Sequence, residues 1–177
     1  MSFANRICAI GLLAALWLQP ALASHVLKAE HRRVLDGWLK QHPNLRLAAL
    51  DDCEGCRDDI EQTRRGSGGP WRPVPDYHPY RAVGDFNGDG RQDFAVVLVD
   101  TSKRDKVFVL VVFNGPFRDI AKPPAFLETG MDLRHGGLFS GPPRPKPYRL
   151  LVGPFESDAG GVLKPRNGSY RWSDDER

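Results

Sequence analysis

Phe94-Ala-Val-Val-Leu-Val99 and Val107-Phe-Val-Leu-Val-Val-Phe113 are two runs of β-branched and aromatic residues separated by a polar connection at residues 101–106. Neither run has helical spacing, so the pair reads as two strands joined in a hairpin at the centre of a sheet. Both are apolar at nearly every position, which requires cover on both faces. The simplest cover for one face is the stretch 25–41, where Val26, Leu27, Val34, Leu35, Trp38 and Leu39 recur at spacings near 3.6 with charged residues between them. His42-Pro43 ends that pattern. Further strand candidates lie at 45–50, 80–84, 138–139, 148–152 and 169–172, divided by turns such as Gly141-Pro-Pro-Arg-Pro145 and Asn167-Gly168. Residues 57–65 read as a brief polar helix, and the glycine and proline run 66–75 as a loop. A helix first and strands afterwards predicts an α+β fold: an N-terminal amphipathic helix packed on a mainly antiparallel β-sheet.

Immediately before the first strand of the hairpin stands Asp85-Phe-Asn87-Gly-Asp89-Gly-Arg91-Gln-Asp93, with oxygen-bearing side chains at alternate positions. A hard cation such as calcium takes six to eight oxygen ligands, and a short loop can wrap it with side chains at positions 1, 3, 5 and 9 and a carbonyl at position 7. Those positions are Asp85, Asn87, Asp89, Asp93 and the backbone of Arg91. Gly88 and Gly90 permit the positive φ that such tight coiling needs. An ordinary Asn-Gly/Asp-Gly turn would also account for the glycines. It would leave three aspartates crowded without a partner, a repulsion that a bound cation removes.

With its flanks, Val83 to Val97, the stretch resembles the calcium loop of the FG-GAP or VCBS repeat found in integrin-type β-propellers. It is also similar to the first part of an EF-hand loop, but Val96 at position 12 cannot supply the bidentate carboxylate of an EF-hand. In the integrin-like pattern the aspartate at position 9 closes the shell, which the resemblance assigns to Asp93. The resemblance implies a calcium loop between two strands. It does not imply a propeller, which needs four to eight blades, because the motif occurs here once.

Residues 1–23 read as a secretory signal, with Arg6 at the start, an apolar run over 7–18 and the small-x-small site Ala21-Leu-Ala23. The expected mature chain, 24–177, is a single domain located in the periplasm or secreted. The apolar run is shorter than a membrane span, and no later stretch approaches the roughly twenty residues a span needs. Net charge is +3, or +2 without Arg6, which gives no reason to expect nucleic acid or a membrane surface as a partner.

Cys53-Glu-Gly-Cys56 follows a strand candidate and precedes a helix candidate, the placement of a thiol oxidoreductase motif. Asp51, Asp52, Glu54, Asp58 and Asp59 surround it and raise thiol pKa values, and in an oxidising compartment a local structural disulfide is the plainer reading. His135 with Ser140, Ser157 and Asp158 shows no spacing that predicts a nucleophile, and Asn167-Gly-Ser169 serves as a turn or, where the source glycosylates, an acceptor. No catalytic residue is assigned. The leading expectation is thus a small exported calcium-binding protein whose metal is structural. The alternatives are a thiol oxidoreductase, or an interaction or inhibitor module binding another exported protein through the proline-rich and aromatic loops 71–80, where exposed Trp71, Tyr77 and Tyr80 would favour it, or 136–148.

Overall fold

The computed structural model of the chain describes residues 24–66, 73–140, 149–155 and 160–173. Residues 1–23, which carry the signal-sequence expectation, and Trp71, Ser157 and Asp158 lie outside the described residues. The elements are α1 (Ala29–Leu39), β1 (Leu45–Leu47), α2 (Arg57–Arg65), β2 (Arg81–Gly84), β3 (Asp93–Asp100), β4 (Val107–Phe113), β5 (Phe126–Met131), β6 (Gly136–Ser140), β7 (Leu150–Pro154), β8 (Gly161–Arg166) and β9 (Ser169–Ser173).

The expected α+β fold is corrected. The described chain is mostly antiparallel β structure, with nine strands in two sheets and only two short helices, of 11 and 9 residues. One sheet runs β1-β3-β4-β5, with β2 pairing β3 as well; the other runs β6-β7-β8-β9. Because β4 occupies one side of β3, β1 and β2 share the other side end to end, β1 on Leu98–Asp100 and β2 on Asp93–Val96. The expectation failed because a second layer of strands, not helix, covers half of the central hairpin.

The packing follows from period-two alternation along β3 and β4. Phe94, Val96, Leu98, Val109, Val111 and Phe113 pack in one cluster with Leu27, Val34, Leu35 and Trp38. Ala95, Val97, Val99, Phe108, Leu110 and Val112 face the other way, into a cluster with Leu138, Leu150, Val152, Leu163 and Tyr170 of the second sheet. Every residue from Asp93 to Leu98 and from Phe108 to Phe113 is buried, so the two unbroken apolar runs are the sequence trace of a strand pair covered on both faces.

Two seams join the sheets. At one, the Leu138 amide donates to the Pro79 carbonyl at 2.7 Å, just before β2. At the other, Ser169 Oγ donates to the Ala125 carbonyl at 2.8 Å, the Trp172 indole donates to Glu128, and Phe126 meets Trp172 edge to face. The first seam has no room for a side chain. A Cβ on Gly137 would stand 2.8 Å from the Tyr77 hydroxyl and 2.9 Å from the Pro79 carbonyl oxygen. Gly137→Ala should therefore cost about 1–3 kcal/mol, the usual range for overpacking, read as a drop in the denaturant midpoint with an unchanged slope. An unaltered midpoint would mean that the seam is looser than described.

Candidate metal centre

Residues 85–92 connect β2 to β3, and their coil is built on one carboxylate. Asp85 Oδ1 accepts from the amides of Gly88 at 2.8 Å and Asp89 at 3.0 Å, while Oδ2 accepts from the Gly90 amide at 2.8 Å. The chain can wrap this tightly because Gly88 and Gly90 sit at φ +76° and +81°. A Cβ at either position would meet nothing within 4 Å, so conformation rather than space demands glycine there. Asn87 Oδ1 accepts from the Asp89 amide at 2.9 Å, Asp89 Oδ1 accepts from the Arg91 amide at 2.9 Å, and Asn87 Nδ2 donates to Asp89 Oδ2 at 3.3 Å. These are Asx turns in series, each oxygen bonding the amide two residues on.

The structure thus brings Asp85, Asn87 and Asp89 into one hydrogen-bonded coil, with Arg91 joining it through its backbone. Asp93 is placed differently: it is fully buried, whereas Asp89 and Arg91 are exposed and Asp85 half-buried. Its Oδ2 accepts from the amides of Phe86 at 2.9 Å and Asn87 at 3.2 Å, and its Oδ1 from the Gly115 amide at 2.9 Å. The Tyr170 hydroxyl, from β9 of the other sheet, lies 3.2 Å from Oδ2 and 2.6 Å from Asn114 Oδ1. One hydroxyl hydrogen cannot serve both oxygens at once. If the Asn114 amide is turned so that its nitrogen donates to Tyr170, the hydroxyl is free to donate to Asp93. Burial pushes the Asp93 carboxyl up to about 6 against the opposing pull of its backbone bonds, and burial also raises the Tyr170 phenol.

Gly115, Asn114 and Tyr170 were not legible as parts of this site. Tyr170 lies 77 residues from Asp93, and only the pairing of two separate sheets brings them together. The available clue was chemical, since a tyrosine on a buried strand face needs a partner for its hydroxyl.

Three carboxylates fall within these nine residues, and among the described residues none of the ion pairs reaches Asp85, Asp89 or Asp93. Among the described residues, no three His, Cys, Asp or Glu side chains form a ready-made metal cage. That count leaves out amide and carbonyl oxygens, which calcium accepts as readily as carboxylates. Asp85, Asn87, Asp89, the Arg91 carbonyl and Asp93 are all hard oxygen donors and fit calcium by type. Three backbone amides already bond to Asp93's oxygens, so it acts first as the anchor of the loop.

The other candidates resolve more simply. Cys53 and Cys56 are joined by a disulfide with Cα atoms 5.6 Å apart, and both residues are buried, which shields the sulfurs from attacking thiols. The turn they close is fastened to the corner between β5 and β6: the Glu54 amide donates to the Arg134 carbonyl at 2.6 Å, and His135 Nδ1 lies 2.7 Å from the Glu54 carbonyl. Asp52 is gripped by both ends of the Arg46 guanidinium at 2.6 and 2.7 Å, which holds its carboxyl below the usual range. Tyr77 and Tyr80, expected as exposed docking aromatics, are 1% and 0% exposed and belong to the core between the sheets. Among the described residues, no helix is long and apolar enough to cross a membrane. Comparison with protein-family models, with curated proteins and with solved structures returned no match in any of the three.

Proposed function

We propose that this chain is an exported protein in which residues 85–93 hold one calcium ion, and that the ion's role is structural. The ligands in this reading are Asp85, Asn87, Asp89, the Arg91 carbonyl and Asp93. Export rests on the character of residues 1–23, and calcium is abundant outside the cytoplasm, where even weak sites fill. The observation that carries the reading is electrostatic. Three carboxylates are held on one coiled loop, and among the described residues no cationic side chain pairs with any of them. Unit charges about 4 Å apart repel by on the order of 1 kcal/mol in water and by more where water is partly excluded, and a divalent cation among the three carboxylates would turn repulsion into attraction.

A structural role follows from where the donors come from. All five belong to one loop, so a filled shell leaves little room for a substrate. The loop's anchor is bonded to the turn after β4 and to β9, so an ion that rigidifies the loop would stiffen the junction between the sheets. An ion at a hundred times its dissociation constant, bound only by the folded state, stabilises by about 2.7 kcal/mol. For a domain of this size the melting temperature should rise by roughly 5–10 °C between chelator and saturating calcium. Identical melts in chelator and in millimolar calcium would reduce the loop to a turn.

A further inference from the structure

Ser24, the first residue of the expected mature chain, closes an antiparallel bridge with Val83 on the edge of β2 that β3 does not occupy. Its amide donates to the Val83 carbonyl at 2.9 Å, and its carbonyl accepts from the Val83 amide at 2.6 Å. Ser24 Oγ donates to Asp76 Oδ2 at 2.7 Å, and the His25 amide donates to the same oxygen at 3.0 Å. His25 is buried, its ring edge-on to Tyr77 and its Nδ1 facing the carbonyls of His78 and Arg81. Leu27 is buried in the cluster under α1. Residues 24–27 are therefore an arm pinned along its length, and its outer end stands beside a carboxylate. Partial desolvation raises the Asp76 pKa, but the bonds from Ser24 and His25 outweigh it and leave the carboxyl below its ordinary value. Among the described residues no cationic side chain pairs with Asp76.

We propose that the Ala23–Ser24 bond is a processing site, and that the α-ammonium released on Ser24 becomes part of the fold, held between the Val83 carbonyl and the Asp76 carboxylate. Cleavage here rests on the export reading of residues 1–23. Hydrolysis by a peptidase adds one water across the amide, giving a carboxylate on Ala23 and an ammonium on Ser24. The Ser24 amide nitrogen carries one hydrogen, and Val83 already takes it. An ammonium carries three, so it keeps that bond and gains two donors for the carboxylate that its own Oγ already reaches. The bond made is charge-assisted. Cleavage one residue later would remove Ser24 and with it both bonds to Val83 and the hydroxyl on Asp76. The site is independent of the calcium loop, and its test does not depend on metal.

The test has two readouts. The first is the intact mass of the protein recovered from a secreting host, expected to begin at Ser24. The second compares chain 24–177, which contains every described residue, with its amine free and with it acetylated. Acetylation keeps one N–H for Val83 and removes the charge. The free form should melt about 1–3 °C higher at neutral pH, the scale of an exposed charge pair. An amine whose folded pKa is raised above the ordinary value of about 7.7–8.0 contributes stability that is complete below that value and lost as pH rises through the folded one. The gap should therefore close by about pH 10. Asp76, His25, His78 and Arg81 are the titratable groups around the amine, and all four are common to both forms. Burial lowers the pKa of both histidines, so neither changes charge across this range. Asp76→Asn, at an exposed position, should keep the fold and abolish the gap. Identical melts of the free and acetylated forms, or a gap that survives Asp76→Asn, would overturn the seated ammonium and leave export untouched. A recovered protein that keeps residues 1–23 would overturn export, and one beginning at any other residue would overturn the site.

Discussion

Asp93→Ala in chelator at pH 7 is expected to cost about 3 kcal/mol of folding stability, the net of two opposing effects. The substitution strands the amides of Phe86, Asn87 and Gly115, while the Tyr170 hydroxyl keeps Asn114 Oδ1 at 2.6 Å, and a buried donor without an acceptor costs about 1–3 kcal/mol. Against that, it removes a buried carboxylate whose pKa stands near 6 instead of 3.8, a relief of about 3 kcal/mol at neutral pH. Three stranded donors at mid-range outweigh this relief by about 3 kcal/mol. The melting temperature should fall by about 6–12 °C, and Tyr170→Phe, which removes the hydroxyl that lies between Asp93 and Asn114, should cost about 1 kcal/mol. A variant that melts with the wild type would show that the bonds around Asp93 do not hold the loop to the second sheet.

The second large effect is acid sensitivity from His31. Its ring is fully buried, stacked on Phe94 and edge-on to Phe117. Nδ1 accepts from the Lys28 amide at 3.3 Å, and Nε2 has no hydrogen-bond partner among the described residues, with Glu30 at 3.8 Å. Burial lowers its pKa from 6.5 to about 4, with Glu30 opposing and Lys28 assisting. The folded state therefore refuses a proton that the unfolded chain accepts between pH 6.5 and 4. Stability due to neutral His31 is complete above pH 6.5 and is lost as pH falls toward 4, a total of about 3 kcal/mol.

His78, also lowered to about 4, acts in the same direction, whereas the raised Asp93 acts in the opposite one, gaining stability as pH falls through 6. The measurement must therefore be a difference. His31→Phe keeps a ring between Phe94 and Phe117 but does not titrate. It should start below the wild type at pH 7, for want of the Lys28 bond, and gain on it by about 3 kcal/mol as pH reaches 4. A constant gap across that range would contradict a neutral buried His31.

How much of this was readable from the sequence depends on how local the cause is. The central hairpin was plain, because residues 94–99 and 107–113 leave no polar side chain to face water, and β3 and β4 fall on those runs. The disulfide was readable from two cysteines three apart in an acidic turn. The candidates at 138–139, 148–152 and 169–172 fall on β6, β7 and β9, but their separation into a second sheet was not readable, nor were β5 of the first sheet and β8 of the second, so the fold class was misjudged. β5 and β8 read Phe-Leu-Glu-Thr-Gly-Met and Gly-Val-Leu-Lys-Pro-Arg, with burial on only part of each strand and a proline in one. Such short, half-exposed strands owe their form to packing on Leu110, Val112 and their neighbours more than to intrinsic preference. The need for glycine at 88 and 90 was legible because it is local, whereas the bonds from the loop's carboxylates to its own amides, which leave none of the three aspartates without a partner, were not read. The loop's anchoring by Gly115 and Tyr170 was not legible either, since those contacts span 22 and 77 residues.

A calorimetric titration of calcium into the chelator-stripped protein, run beside Asp89→Ala, tests the metal centre most directly. Asp89 is exposed and bonds only within its own loop, so its loss should leave the fold intact while removing a ligand. Saturable heat near one ion per chain, abolished or weakened at least about tenfold in the variant, is the predicted result. A folded wild type that takes up no calcium, or a variant that binds it equally well, would contradict the claim that this loop is a metal centre.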